Sequence, residues 1–366
     1  MHSFGRLSKS ALTAATGALT PAAWCWARRG YFRRGPARRW LNLPAESIAI
    51  IACHWVGDTF WATQVVGPLR RRFGAARIHA VTKSACVDLW NGLIESKNVL
   101  AADAVVSDRR RERTDWPRLW STAETLRRRA FDLVIDLTGN RYSAALSFAM
   151  RPAAALGFDG GELRRLYSLR VGRAERPCEH LRMRPIRVIE PLIGAEAAGA
   201  VMAQPPRAPA ASCDPAELIA GLSLEPRRYF VLCPGAGWPA KRWPAGNFIA
   251  AARALTAGGA RLIVVGSAAE RDLCNRVAGS LPRAAVQTYS GQPLGRVMAL
   301  LGESAGLLCN DSGLGHLAAA LGRPTAVVFT GATDPAVCRP VGAQVRVFAA
   351  PASVEPIADY LLAQCR

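Results

Sequence analysis

The chain has 366 residues, half of them hydrophobic, which is enough for two domains of ordinary size. Lys and Arg number 47 against 27 Asp and Glu, and the formal net charge of +20 indicates an anionic partner. No zinc-finger spacing, RNP-like aromatic motif or heptad zipper accompanies this charge, so we expect no nucleic-acid partner. The ten cysteines form no Cys-x-x-Cys pair, which disfavours a zinc site and predicts buried free thiols.

Residues 1–46 are interpreted as a basic N-terminal extension. Residues 11–27 are weakly apolar and shorter than the roughly 20 residues of a spanning helix. No small-x-small cleavage site follows them, and six arginines occupy positions 27–40. The composition favours a segment lying on a membrane surface over a signal peptide or anchor. A flexible or locally packed extension is the alternative. A second basic cluster lies at 107–120.

A strand-then-helix alternation begins at Ser47. The pattern predicts a buried strand, a loop at His54–Asp58 and a helix through Leu69, and the same rhythm returns over 76–90. A strand ending in a polar turn, a helix, and a short strand or turn are predicted next, at 131–140, 141–150 and 151–159. This alternation is typical of parallel βαβ units.

Residues 203–215 are rich in Pro and Ala and lack periodicity, so we interpret them as the approach to an interdomain linker. The alternation then restarts. Strands are predicted within 227–237, 260–267, 305–311 and 324–331, and helices within 244–259, 268–281, 294–304, 312–322 and 354–365.

The patterns together predict an α/β protein with two doubly wound, parallel-sheet domains in tandem. The predicted boundaries are 47–205 for the N-terminal domain and 216–345 for the C-terminal domain. A C-terminal helix within 346–366 is predicted to pack back on the N-terminal domain. Ligands of such sheets bind beyond the carboxyl ends of the strands, so we expect the site in the cleft between the domains.

The stretch 310–316, NDSGLGH, follows a predicted strand and opens a helix. Asp311 or Ser312 is expected to cap that helix, and Gly313 lets a ligand approach the backbone. The first-turn N–H groups and the helix dipole favour phosphate oxygens, and His316 lies one turn further on. The alternative is an ordinary capped helix with Gly for tight packing.

A second Gly-rich turn, Gly235–Ala236–Gly237, also follows a predicted strand. Lys241 and Arg242 come next, and such a turn with a basic pair can bind an anion through backbone and side chains together. A solvated Lys–Arg pair beside a packing Trp is the alternative. The turn is not a Walker A loop, because the Gly–Lys–Ser/Thr ending is absent.

Two carboxylates also follow predicted strands. Asp58 stands where the first strand hands over to a helix, where a carboxylate facing a cleft can act as a general base. Glu270 stands just past a strand in the second half, a position suited to ribose hydroxyls. An N-cap Asp and an exposed first-turn Glu are the structural alternatives.

Four motifs resemble glycosyltransferase family 9, the heptosyltransferases of lipopolysaccharide core assembly. They are GDTFWAT, FDLVIDLTGNRYSAALSFAMRPAAALGFD, PGAGWPAKRWP and NDSGLGHLAAALGRPTAVVFTGATDP, in the family's order over roughly 47–345.

The resemblance implies a GT-B architecture, with two Rossmann-like domains facing across a cleft. It implies inverting sugar transfer without a metal or other cofactor, with the nucleotide sugar in the C-terminal domain and the acceptor in the N-terminal one. Asp58 matches the family's catalytic base, Lys241 its phosphate-binding lysine, and Glu270 falls near the position that meets the ribose. The donor-binding turn matches Asp311, Ser312, Gly313, Leu314 and His316.

The chain departs from the family pattern on what we take to be the acceptor side. Cys53, His54 and Trp55 stand where a basic residue is usual, and Thr63–Gln64 replaces Thr-Pro. These departures leave the identity of the acceptor open. The resemblance implies ADP-heptose or another activated sugar as the donor, and a lipid-linked or phosphorylated glycan as the acceptor.

The leading hypothesis is a cytoplasmic glycosyltransferase held peripherally at the anionic inner membrane by its basic segments. A non-catalytic nucleotide-sugar-binding scaffold is the second hypothesis, and a nucleic-acid-binding protein the third.

Overall fold

The computed structural model describes residues 44–105, 115–160, 163–172 and 179–365. The predictions about residues 11–27, the arginines of 27–40 and most of the basic cluster at 107–120 therefore lie outside the described residues. Within the described part of the chain, no helix is both long enough and apolar enough to cross a membrane. The described cysteine side chains are free thiols, as predicted, and all but the half-buried Cys213 are buried.

The first sheet contains β1 (Ser47–Ala52), β2 (Arg77–Thr82), β3 (Val99–Ala101), β4 (Leu133–Asp136), β5 (Ala154–Phe158) and β6 (Leu169–Val171). All six strands are parallel, in the order β3-β2-β1-β4-β5-β6. The central strand β1 is buried along its whole length, which explains its continuous apolar run.

Among the described residues, the helices that accompany this sheet are α1 (Val56–Thr63), α2 (Val66–Phe73), α3 (Trp116–Arg127), α4 (Arg141–Ala149), α5 (Met183–Ile193) and α6 (Ala195–Ala203). The loop predicted at His54–Asp58 is shorter than expected, because α1 begins at Val56 and includes Asp58 in its first turn. The single helix predicted through Leu69 is two helices. Pro68 lacks the N–H that would bond to the carbonyl of Gln64, and its ring would clash there.

The second sheet contains β7 (Tyr229–Cys233), β8 (Arg261–Gly266), β9 (Val286–Ser290), β10 (Gly306–Asn310), β11 (Thr325–Phe329) and β12 (Val345–Ala349). They are again all parallel, in the order β12-β11-β10-β7-β8-β9. The two edge strands, β9 and β12, were not predicted. Their residues are largely half-exposed, so they lack the apolar run that marks the central strands.

In the described stretch 179–365, the helices that accompany the second sheet are α7 (Pro215–Gly221), α8 (Ala245–Ala257), α9 (Arg271–Ala278), α10 (Leu294–Gly302), α11 (Gly313–Ala320), α12 (Pro335–Cys338) and α13 (Val354–Leu362). The two layered sheets confirm the predicted GT-B class of α/β fold.

The prediction that the C-terminal helix packs back on the N-terminal domain is wrong. Helix α13 packs against α8 and β11 of the second sheet, and Ile357, Ala358 and Leu361 enter the core that contains Phe230. These three residues recur at helical spacing and give α13 one apolar face, which packs on that core. Among the described residues, the chain therefore passes between the two sheets once.

That passage is the predicted linker, and it is attached to the N-terminal domain rather than loose. Gln64 accepts a hydrogen bond from the Arg207 N–H at 2.8 Å and donates one to the Arg207 carbonyl at 3.1 Å. The Ala210 N–H donates to the Asn91 carbonyl at 3.1 Å. Gln64, one of the departures from the family pattern, therefore holds the linker against the N-terminal domain.

Candidate active site

The carboxyl ends of both sheets face one cleft of about 2020 Å³. Every residue predicted for the site lines it, from Asp58 in the first domain to His316 in the second. This placement follows from the topology, because loops after parallel strands gather at one edge of each sheet.

Asp58 lies half-buried in the first turn of α1, at the N-terminal end of that helix. Its carboxylate makes no hydrogen bond or ion pair within the described ranges 44–105, 115–160, 163–172 and 179–365. The residue lines the cleft, so its carboxylate is available to a ligand there. The alternative of a plain N-cap is not what the structure has, since Trp55 holds the cap position.

The tips of α1 and α11 touch across the cleft. A Cβ added to Gly313 would lie 2.7 Å from the Val56 Cβ and 2.8 Å from the Gly57 nitrogen, so only glycine permits this approach. Ser312 occupies the N-cap of α11, but its side chain caps nothing, contrary to the expectation. The first-turn N–H groups of α11 therefore lack a side-chain acceptor, and Ser312, Gly313 and Leu314 remain half-exposed to the cleft.

Lys241 forms an ion pair with Asp311 rather than projecting freely into the cleft. The same carboxylate oxygen accepts a hydrogen bond from the Thr333 hydroxyl at 2.7 Å. The Lys241 ammonium also lies 4.2 Å from the centre of the Trp238 ring. Sequence patterns predicted both charged residues for the site, but not this pairing.

Asn310 holds the second Gly-rich turn in place, and sequence reasoning missed it. Its side-chain amide donates to the carbonyls of Pro234 and Gly235 at 2.9 and 3.1 Å, and accepts from the Trp243 N–H at 2.8 Å. The side chain is fully buried, and all three bonds tie the turn to the end of β10. An amide closing an otherwise apolar strand was the available signal.

Glu270 packs its carboxylate directly against the Gly235 backbone. A Cβ on Gly235 would lie 2.1 Å from the Glu270 Oε1, so this contact requires glycine. The other carboxylate oxygen accepts hydrogen bonds from the Ser267 N–H and hydroxyl at 2.9 and 2.8 Å. Arg242 lies 3.8 Å from Glu270 and donates to the Ala236 carbonyl at 3.3 Å. Gly237, the last residue of the turn, is exposed.

His316 lies at the domain interface as a neutral imidazole. Desolvation by burial lowers its pKa to about 4, although the nearby carboxylates of Asp311 and Asp58 oppose that shift. Its ring meets the Trp61 ring edge-on at 5.1 Å, and its Cδ2 lies 3.1 Å from where a Gly57 Cβ would be. At neutral pH it can offer an anion one N–H but no positive charge.

The N-terminal wall of the cleft is aromatic and basic, a feature that the site predictions did not include. Trp116 and Tyr142 meet edge-on with ring centres 5.7 Å apart. Arg141 lies over the Tyr142 ring at 4.8 Å and donates to its hydroxyl at 2.6 Å. His54, which replaces the family's usual basic residue, hydrogen-bonds the Leu137 carbonyl at 3.0 Å. The Arg-Tyr pair after the Gly139 turn was the available signal.

The cleft lies between two parallel sheets. A carboxylate faces it from the first domain, and an ion pair and an uncapped helix tip face it from the second. The fold is of the GT-B class, and its cleft offers the charged groups that a glycosyltransferase needs.

Comparison with known proteins identifies the family. The family model "Glycosyltransferase family 9 (heptosyltransferase)" matches residues 119–359. The chain is 25% identical over 316 residues to the Salmonella typhimurium lipopolysaccharide heptosyltransferase 2, covering 82% of this chain and 87% of that one. It belongs to glycosyltransferase family 9.

Two solved structures share the fold. The Escherichia coli ADP-heptose lipopolysaccharide heptosyltransferase II superposes with a TM-score of 0.73 at 21% identity, covering 87% of this chain and 98% of that one. An E. coli heptosyltransferase solved with ADP superposes with a TM-score of 0.65 at 20% identity, covering 87% and 99%.

Proposed function

We propose that this glycosyltransferase moves heptose from ADP-heptose onto a lipopolysaccharide core or related lipid-linked glycan, with inversion and without a metal ion. The names of the relatives support the donor and the acceptor class. The observation that carries the proposal is the convergence of Asp58 with Lys241 and the α11 tip on one cleft, where the two domains touch at Gly57 and Gly313.

The donor half of the site is the C-terminal wall. The diphosphate binds at the tip of α11, where first-turn N–H groups lack side-chain acceptors and the helix dipole is positive. Lys241 adds a positive charge there, and Asp311 holds its ammonium in place. These groups stabilise the charge that develops on the leaving diphosphate. Glu270 lies beside the Gly235 turn, in position to accept from ribose hydroxyls.

The acceptor half is the N-terminal wall. Asp58 takes the proton of the acceptor hydroxyl as that oxygen attacks the anomeric carbon, and the diphosphate leaves from the opposite face. Trp116 and Tyr142 offer aromatic surface to sugar rings, and Arg141 offers a planar cation suited to phosphate. The basic N-terminal extension holds the enzyme at an anionic membrane surface on the cytoplasmic side.

A transfer assay tests the proposal. Purified protein is incubated with ADP-heptose and with lipopolysaccharide from a heptose-deficient strain, and the acceptor is analysed by mass spectrometry. We expect one added heptose, and no addition from UDP-glucose or GDP-mannose in parallel reactions. Addition from another nucleotide sugar alone contradicts the proposed donor. Nucleotide binding without transfer to any acceptor would instead indicate the scaffold hypothesis.

A further inference from the structure

One hydrogen bond joins the two domains at the first turn of α10. The Asp88 carboxylate, in the short helix Ser84–Trp90 that follows β2, accepts from the Gly295 N–H at 2.7 Å. The two residues are 207 positions apart in sequence and belong to different domains. Asp88 is half-buried and lines the cleft.

Helix α10 has no capping side chain of its own. Its N-cap is Pro293, which offers no side-chain acceptor, so Asp88 supplies the cap from the other domain. A Cβ on Gly295 would lie 1.8 Å from the Ser212 hydroxyl and 3.0 Å from the Asp88 Cγ. Glycine is therefore needed for the carboxylate and the linker to meet this helix tip.

The contact continues into packed apolar surface. Leu89 and Trp90 from the N-terminal domain belong to the same hydrophobic cluster as Val297 and Met298 of α10. These four side chains are buried, and the helix carrying Asp88 packs against α10. A capping bond at this point therefore has a defined geometry rather than that of a mobile surface pair.

The angle between the two domains depends mainly on noncovalent contacts across their interface. Among the described residues the backbone passes between the sheets once, since α13 stays on the second sheet. The linker is bonded to the N-terminal domain at Gln64 and Asn91. Beyond those bonds, the angle between the domains is set by contacts across the interface, among them that of Ser212 with Gly295.

We propose that Asp88 is a positioning residue, which caps α10 across the domain interface and thereby holds the donor half of the cleft in register with Asp58. The role requires an acceptor oxygen and not a negative charge. The kinetic consequence rests on the proposed sugar transfer, whereas the structural consequence does not.

Three variants test the kinetics in the full chain. Loss of an N-cap shifts the equilibrium between the capped and the uncapped helix end by roughly twofold to thirtyfold. Because the proposal is that the capped state aligns the two halves of the cleft, Asp88→Ala should lower kcat within that range. Asn caps about as well as Asp, and Asp88→Asn should stay within about twofold of the parent. Asp132→Ala is the matched control and should leave kcat unchanged, because it removes a carboxylate that accepts from the Glu46 and Ser47 N–H groups at the end of β1 away from the cleft. Calorimetry should show that Asp88→Ala binds ADP with the affinity of the parent, since the proposed contacts of ADP lie in the C-terminal domain.

Deuterium exchange tests the structural half without any substrate. In Asp88→Ala, amides of 294–302 should exchange faster, and so should those of 56–63 and 313–320, where the other interface helices meet. Asp132→Ala should leave all three peptides unchanged. Faster exchange confined to 294–302 shows a local cap only and overturns the proposal.

A loss of transfer in Asp88→Asn equal to that in Asp88→Ala also overturns the proposal, because the charge would then be what matters. If the parent protein transfers no sugar, the proposed function fails and the exchange results still decide the role of Asp88.

Discussion

Lys241 shows how one side chain can be predicted correctly in position and incompletely in environment. The motif that carries it indicated an amine near a phosphate, and the structure places that amine in the cleft. The buried Asp311 carboxylate accepts a hydrogen bond from Thr333 and forms the ion pair that fixes the position of the amine. A lysine anchored in this way keeps its charge pointed at one place, which lowers the entropy lost when a ligand binds.

Lys241→Ala should lower the rate of transfer by a factor of roughly one hundred, because one donor to the leaving diphosphate is lost. It should also destabilise the fold by about 3 kcal/mol, because Asp311 stays buried without its cation. Lys97→Ala, which removes an exposed lysine paired with Glu95 at 2.8 Å, is the control and should change neither quantity. Steady-state kinetics and urea unfolding measure the two effects. Equal behaviour of the two variants contradicts the assignment.

Asp58 carries the second prediction at the residue scale. Asp58→Asn keeps the size of the side chain but removes the base, so transfer should fall by roughly a hundredfold to ten-thousandfold. ADP affinity measured by calorimetry should remain that of the parent, since the proposed nucleotide contacts lie on the other domain. A variant that retains full transfer activity would show that another group takes the proton.

At the scale of elements, the meeting of α1 and α11 decides how base and donor face each other. Gly313→Ala places a methyl group 2.7 Å from the Val56 Cβ, so the two helix tips must separate. We expect transfer to fall by roughly a hundredfold, the cost of misplacing reacting groups by about an ångström. Gly246→Ala, in the first turn of α8 with open space around its added Cβ, is the control. Parental activity in Gly313→Ala would show that this contact is dispensable.

The elements also show where sequence reasoning stops. Buried central strands such as β1 and β10 were predictable, because continuous apolar runs have one common explanation in α/β proteins. Edge strands β9 and β12 were not, since half-exposed residues leave no such pattern. The apolar face of α13 was visible in the sequence, but not which of the two domains it would cover.

The site was predictable to the extent that it follows strand ends. Glycine-bearing turns after strands placed Asp58, Gly235 and Gly313 at one cleft. Contacts made across the domains, such as that of Asp88 with α10, join residues far apart in sequence and leave no local signal. The same holds for Asn310, whose three bonds depend on two loops folding over it.

At the scale of the whole molecule, two buried histidines make stability depend on pH. Burial lowers the pKa of both His79 and His316 to about 4, below the value of about 6.5 that an unfolded histidine has. The unfolded chain therefore binds more protons between these values. The contribution of these two histidines to stability is full above about pH 6.5 and is lost as pH falls toward 4.

Urea unfolding at several pH values between about 7.5 and 4.5 measures this dependence. His79→Leu, in a core position against Phe131 and away from the cleft, should reduce the proton uptake on unfolding by about one. Stabilities of the parent and of His79→Leu that change in parallel with pH across this window would contradict the neutral state of His79.

The central claim is that the tip of α11 and Lys241 together receive the diphosphate of the donor. A crystal structure of the full chain with ADP tests it most directly. The account predicts the diphosphate beside the backbone N–H groups of Gly313 and Leu314, with the Lys241 amine in contact. Nucleotide density elsewhere in the cleft, without contact to the tip of α11, would contradict it.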